Sequence, residues 1–323
     1  MPYFTESYQA MSSPFTIRVD LSHADLRMEN QVKQLFERLR FTTETIEQSL
    51  SRFRKDSELS SLNSRVGEPV TISPLMATVL KKAEEAYQMS QGLFDPRVIR
   101  VLQSIGYEGI LDEKDAILRE HDRAPKDDGL FIWHEPYVVE LIAPIDLGGI
   151  GKGYTVDFLA GLVLQNFSKE DLTGFLVNAG GDVKLYGRQE NGEPWTVGVE
   201  NPFSPKDIFA AIRITEETVA VCTSSKWRRK WQHEGQEMHH LIDPRTGEPV
   251  HSNVMSVTAL GAEAALAEVL TKMVFIGADM SGDERTRYLV IDESKGLVYT
   301  PRLAEGLIWV TPEASSVQPL ITA

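Results

Sequence analysis

Gly174-Phe175-Leu176-Val177-Asn178-Ala179-Gly180-Gly181-Asp182-Val183-Lys184-Leu185-Tyr186 reads as an apolar run, a glycine pair with an acid, and a second apolar run. That is the pattern of a strand, a tight turn and another strand. Three more short runs follow, Trp195 to Glu200, Phe209 to Ile214 and Val219 to Cys222, with a hairpin signal at Glu190-Asn191-Gly192-Glu193. Working outward, Phe15 to Val19, Tyr137 to Ile145 and Ser256 to Leu260 add strands. Helical spacing is found at Val32, Leu35, Phe36, Leu39, Ile46 and Leu50 within 32–53, and again from the Ser73-Pro74 cap signal to Gly92. Tyr154 to Phe167 and the alanine-rich Ala262 to Phe275 complete the helices. Strands clustered between helices, without an internal repeat, predict an α+β fold: a mostly antiparallel sheet with flanking helices rather than a doubly wound one.

With 323 residues, 42% of them hydrophobic, the chain can bury a substantial core, as one large domain or two ordinary ones. The charged, apolar-poor stretch from Asp112 to Asp128 is the expected surface insertion and a weak boundary at best. A net charge of −14 disfavours nucleic acid and anionic membrane, so a phosphate-bearing ligand needs a local basic patch. Cys222 is the single cysteine, which excludes an intrachain disulfide and a cysteine metal cluster. Met1 to Arg18 has no export pattern and no run reaches transmembrane length, so the expected location is the cytoplasm, without membrane insertion.

Four segments could carry chemistry. His239-His240-Leu241-Ile242-Asp243-Pro244-Arg245-Thr246-Gly247 couples histidine, the side chain suited to proton transfer near neutral pH, to a Pro-x-x-Gly corner that fixes the backbone beside it. Asp146-Leu147-Gly148-Gly149-Ile150-Gly151-Lys152-Gly153 lies between a strand and a helix, where bare amides can receive an anion or a tight turn can require small residues. Its spacing fails as a P-loop and as a dinucleotide fingerprint. Asn178-Ala179-Gly180-Gly181-Asp182 suits close approach by a ligand or a strand. Thr223-Ser224-Ser225-Lys226-Trp227-Arg228-Arg229-Lys230-Trp231 is the basic patch, or else an exposed hairpin whose indoles cover the core.

In this order, and from about Met11 to about Gly277, these segments resemble the ApbE family of FAD:protein FMN transferases. Met11-Ser12-Ser13 stands where the family has Met-Gly-Thr, and Ser51-Arg52-Phe53 through Asn63 is similar to its Ser-x-Tyr/Phe and Ser-Glu-Leu-Ser-x-Leu-Asn motifs. Gly92-Leu93-Phe94-Asp95-Pro96, Asp146 to Asp157, Asn178 to Asp182, Thr223-Ser224-Ser225, His240 to Gly247 and Ser256-Val257-Thr258 follow in register. The resemblance implies one domain over 1–323, with its core at about 11–311. It also implies an enzyme that cleaves the FAD pyrophosphate and attaches FMN through a phosphoester to a Ser or Thr hydroxyl of an acceptor protein. His240 would be the base. Met11, Phe53, Leu93, Phe94, Asp95, Asp146, Lys152, Thr223 and Ile242 would meet the flavin nucleotide, with the two acids on ribose or adenine donors. FAD hydrolysis to FMN and AMP, and FAD binding without catalysis, are the alternatives.

The family's Mg²⁺ would fall to the Gly149 carbonyl, Glu268 and, allowing a shift of one residue, Thr271. The aligned position itself is Lys272, which is no metal ligand. Either Mg²⁺ is held by Gly149, Glu268 and Thr271, or the Lys272 ammonium takes the metal's place beside the phosphates.

Overall fold

The computed structural model describes residues 1–107, 129–278, 280 and 286–320; the insertion expected at 112–128 lies outside them. The chain begins with an antiparallel hairpin, β1 (Tyr3–Ala10) and β2 (Ser13–Leu21). The sequence predicts β2 but not β1, because β1 alternates only between exposed and half-buried positions until its last residue. Helix α1 (Leu26–Leu50) starts where the Asp25 carboxylate accepts the Met28 N–H, and it buries Val32, Leu35, Leu39 and Ile46 as their spacing requires. It ends at Leu50, so Phe53 lies beyond the helix that was expected to include it.

Helix α2 (Glu58–Asn63) and strand β3 (Val70–Thr71) lead into α3 (Pro74–Met89). Ser73 caps α3 through the Met76 N–H with Pro74 in the first turn, and Gly92 turns the chain away at φ +83°. Short helix α4 (Ile99–Ser104) precedes β4 (Phe131–Glu135) and β5 (Val138–Leu141), which pair with β3 in the order β3-β5-β4. Helix α5 (Gly151–Asn166) then leads into β6 (Leu172–Ala179), β7 (Asp182–Gly187), β8 (Thr196–Asn201), β9 (Ser204–Arg213) and β10 (Thr218–Ser225).

Two small hairpins follow, β11 (Lys230–His233) with β12 (Gln236–His239), and β13 (Ile242–Asp243) with β14 (Glu248–Pro249). Strand β15 (Val254–Gly261), helix α6 (Ala264–Phe275), and strands β16 (Arg287–Asp292), β17 (Gly296–Tyr299), β18 (Leu307–Val310) and β19 (Ser316–Pro319) complete the described chain.

The central sheet has nine strands in the order β1-β2-β6-β7-β10-β15-β16-β17-β19, antiparallel except for the last pair. This is the mostly antiparallel α+β architecture that the strand spacing predicts. Strand β10 shows how its faces are used: Ala220 and Cys222 pack toward α1, α5 and α6, while Val219 and Val221 pack toward the three-stranded sheet β18-β9-β8. Helices therefore cover one face and a small sheet the other. The Glu190-Asn191-Gly192-Glu193 turn differs from its hairpin reading, since β7 and β8 belong to different sheets and the turn carries the chain between them. Among the described residues no helix is long and apolar enough to cross a membrane.

The β1–β2 loop is two residues, Met11 and Ser12, held at φ 49° and 56°. Hairpin turns of this kind need both central residues in the left-handed region, where a Cβ crowds the backbone and glycine does not. Ser12→Gly is therefore expected to stabilise the fold by about 0.5–1 kcal/mol. Chemical denaturation would show an upward midpoint shift, and an unchanged or lowered midpoint would contradict the strain argument.

Candidate active site

A cleft of about 380 Å³ opens at the turns that end the central strands. Ser12 and Ser13 line it from the first hairpin, Leu93 to Pro96 from the segment before α4, and Asp146, Gly148, Gly149 and Lys152 from the turn into α5. Gly180 and Asp182 come from the β6–β7 turn, Thr223 to Ser225 from the end of β10, Trp227 to Arg229 from just beyond it, His240 to Ile242 from the corner after β12, and Glu268 and Lys272 from α6.

An ionic cluster anchors the cleft. Lys152 is ion-paired to Asp182, and its Nζ lies 3.4 Å from Glu268 Oε1. Lys272 Nζ lies 3.2 Å from the same oxygen and donates to the Glu268 carbonyl, also at 3.2 Å. The Gly153 N–H donates to Glu268 Oε2 at 3.0 Å. Burial pushes the Glu268 carboxyl up, but Lys152, Lys272 and the Gly153 N–H outweigh it and hold the group well below the usual range. Burial likewise pushes the Lys152 ammonium down, yet Asp182 and Glu268 raise it above its ordinary value.

These contacts exist because α5 and α6 nearly touch. A Cβ on Gly153 would sit 2.6 Å from the Ala265 nitrogen, so only glycine fits. Asp157 fixes the same junction by accepting the Ala264 and Ala265 N–H groups at the start of α6. The small residues at 146–153 thus serve a close helix crossing. The anion-receiving reading of that turn is not what the geometry favours, because Gly148 donates to Asp146, Ile150 and Gly151 to the Leu147 carbonyl, and Gly153 to Glu268.

His240 lines the cleft, and among the described residues its buried Nδ1 has no hydrogen-bond partner. Burial, then the nearby Arg229, Lys272 and His239, push its pKa well below the ordinary 6.5, leaving a neutral imidazole at pH 7. His239 is committed elsewhere: Nε2 is paired with the Val250 carbonyl at 3.2 Å, and Nδ1 accepts the Leu241 N–H at 3.3 Å. Asp243 serves the corner rather than the imidazole, accepting from the Arg245 backbone and guanidinium. Gly247 closes the turn at φ +67° with its N–H on the Asp243 carbonyl.

Of the residues predicted from the sequence, His240, Leu93, Phe94, Asp95, Asp146, Lys152, Thr223, Ile242, Gly149 and Glu268 share this cleft. Met11, Phe53 and Thr271 do not line it. The Met11 sulfur receives the Thr155 hydroxyl at 3.5 Å, against α5. Phe53 is 49% exposed and meets the edge of Tyr107, which stacks on Trp231 at 4.7 Å and does line the cleft. Thr271 is fully buried; its hydroxyl donates to the Glu268 carbonyl and shares a hydrogen bond with Ser224. Both acids expected to meet ribose or adenine already have arginine partners, Asp95 with Arg97 and Asp146 with Arg52.

Sequence reasoning named Asp182 and Arg229 only as members of the glycine-pair turn and the basic patch, without a site role for either. Asp182 closes the glycine-pair turn quoted at the outset, a signal that was present. Arg229 lines the cleft, and among the described residues its guanidinium has no acidic partner, whereas Arg228 is paired with Glu200.

A Mg²⁺ site at Gly149, Glu268 and Thr271 does not fit these residues. Both Glu268 oxygens are engaged by protein donors, the Thr271 hydroxyl is turned to Ser224 and the Glu268 carbonyl, and the Lys272 side chain lies across Gly149, its Cε 3.2 Å from where a Cβ would be. Magnesium requires near-octahedral oxygen ligands. Among the described residues no group of three or more His, Cys, Asp or Glu could hold a metal.

Comparison with known proteins identifies a family. The ApbE family matches residues 11–289. A Vibrio cholerae protein named FAD:protein FMN transferase is 28% identical over 249 residues, covering 75% of this chain and 72% of that protein. One of the same name from Escherichia coli K12 is 25% identical over 294 residues, covering 88% and 81%. Among solved structures, the ApbE protein of Thermotoga maritima superposes with a TM-score of 0.79 at 24% identity, over 95% of this chain and 100% of that one. The flavin transferase ApbE of Vibrio cholerae superposes at 0.75 with 23% identity, over 95% and 99%. At these identities the two structures establish a shared fold.

Proposed function

The chain belongs to the ApbE family, and from that premise we propose that it is an FAD:protein FMN transferase, moving FMN from FAD to a Ser or Thr hydroxyl of an acceptor protein. The observation that carries this reading is a neutral histidine, His240, beside Lys152, Lys272 and Arg229 in one cleft of a chain whose net charge is −14. Such a chain repels a dianionic ligand everywhere except at a local basic site. Diphosphate cleavage requires that site and a base near the acceptor hydroxyl.

In the reaction, the acceptor oxygen attacks the phosphorus on the FMN side and a new P–O bond forms. The bond from that phosphorus to the bridging oxygen breaks, and AMP leaves with the electron pair. The hydroxyl proton passes to His240, free to receive it because its neighbours and burial keep it neutral. Leu93, Phe94 and Ile242 supply apolar surface for the nucleotide. The sugar-facing roles assigned to Asp95 and Asp146 would be filled by their lone pairs not used by arginine. Met11, Phe53 and Thr271 support the cleft from behind its lining rather than within it.

Incubation with FAD and a Ser- or Thr-bearing acceptor tests the proposal. Flavin fluorescence that stays with the acceptor on a denaturing gel is the expected result. Free FMN with AMP would instead mark a hydrolase, and intact bound FAD a binding protein. The pH profile is a second check. A neutral base is required and burial and adjacent cations lower the His240 pKa, so the acid limb of kcat/KM is expected below pH 6.5. An acid limb above 6.5 would assign the base to another group.

A further inference from the structure

We infer that the Lys272 ammonium, assisted by the Arg229 guanidinium, neutralises the diphosphate where a divalent cation would otherwise stand, so that this chain handles its nucleotide without a metal. The inference rests on the reading of the cleft as a diphosphate site and deepens it.

Three observations converge. Lys272 is held in place rather than waving in solvent: its Nζ touches Glu268 Oε1 and the Glu268 carbonyl, both at 3.2 Å, and its side chain lies over Gly149. Glu268, the carboxylate expected to bind a cation beside Gly149, has both oxygens taken by Lys152, Lys272 and the Gly153 N–H. Formal charge is the third. Lys152 and Lys272 balance Asp182 and Glu268, and Arg229 then adds a cation with no acidic partner among the described residues. Asp95 and Asp146 are balanced by Arg97 and Arg52, and Arg228 by Glu200, so among the described residues the cleft with its paired partners carries one net positive charge before any ion enters. A metal beside Lys272 would meet a like charge and no free Glu268 oxygen, whereas a diphosphate would meet two cationic donors in the same cleft.

The test uses the full chain, with FAD and riboflavin as probes. Wild-type protein is expected to bind FAD equally well, within about twofold, in EDTA and in millimolar Mg²⁺, and calorimetry with Mg²⁺ alone is expected to show no saturable site. Lys272→Met should weaken FAD binding about tenfold or more while leaving riboflavin binding unchanged, which locates the loss on the phosphates. Arg229→Met should act in the same direction. Lys272→Arg keeps the charge and should restore FAD binding, which a purely structural role for the lysine would not require.

The inference is overturned if EDTA lowers wild-type FAD affinity tenfold and Mg²⁺ restores it. It is equally overturned by one stoichiometric Mg²⁺ site, or by Lys272→Met binding FAD as the wild type does. Transfer that proceeds only with Mg²⁺ removes the inference and leaves the proposed function standing. Metal-independent FAD binding that responds to Lys272, with neither transfer nor AMP release, removes the function and leaves the clamp. A wild type that binds no FAD in either buffer removes both.

Discussion

His240→Ala is expected to lower turnover by about 10²- to 10⁴-fold while FAD affinity changes little. The two effects separate because the imidazole is neutral, held so by burial and by Arg229 and Lys272, and therefore adds no charge to nucleotide binding. Its contribution falls on the step in which the acceptor hydroxyl loses its proton. Substitution should also leave the corner intact, since Asp243, Arg245 and Gly247 shape it without the His240 ring. Steady-state transfer rates beside a flavin-fluorescence titration make the comparison. Turnover within threefold of the wild type would take the base role away from His240, and a parallel collapse of FAD affinity would make it a binding residue.

Lys152→Met should produce the largest loss of stability, about 3–5 kcal/mol. Asp182 and Glu268 are each 3% exposed, and among the described residues Lys152 is the one cation paired with both. Its removal leaves Asp182 buried without its ion partner, and Glu268 with Lys272 alone. The cost is that of an uncompensated buried charge, larger than the net worth of the pairs. Denaturant unfolding would measure it. Adding Asp182→Asn should recover part of the loss, because the stranded charge is then gone. A shift below about 1 kcal/mol for Lys152→Met would mean that water reaches these carboxylates.

The parts of the molecule legible in its sequence are those governed by local periodicity. Helix α3 follows its written signals, Ser73 as cap, Pro74 in the first turn and Gly92 at the exit. The β6–β7 pair likewise follows from the run that ends at Ala179, the glycine pair, and the run from Asp182. Strand β1 was not legible because an edge strand with one half-buried face carries little hydrophobic alternation. Membership of β7 and β8 in separate sheets is a tertiary fact with no local signature.

The same limit divides the site. His240 stands out because its corner is contiguous. The role of Gly153 depends on a carboxylate 115 residues away, and that of Arg229 on having no acidic partner among the described residues. Thr271 could be moved onto a ligand position by counting, but its burial against Ser224 is set by how α6 lies on β10.

The cleft draws its lining from Ser12 at one end of the chain to Ile276 near the other, and from most of the turns between. During synthesis the first hairpin leaves the ribosome long before α6 exists, so the Lys152–Asp182 pair can form early, while Glu268 and Lys272 join it only when α6 packs against α5. The cleft is therefore complete only once α6 is in place, and a chain cut before residue 268 lacks both Glu268 and Lys272 however well the rest of its lining forms.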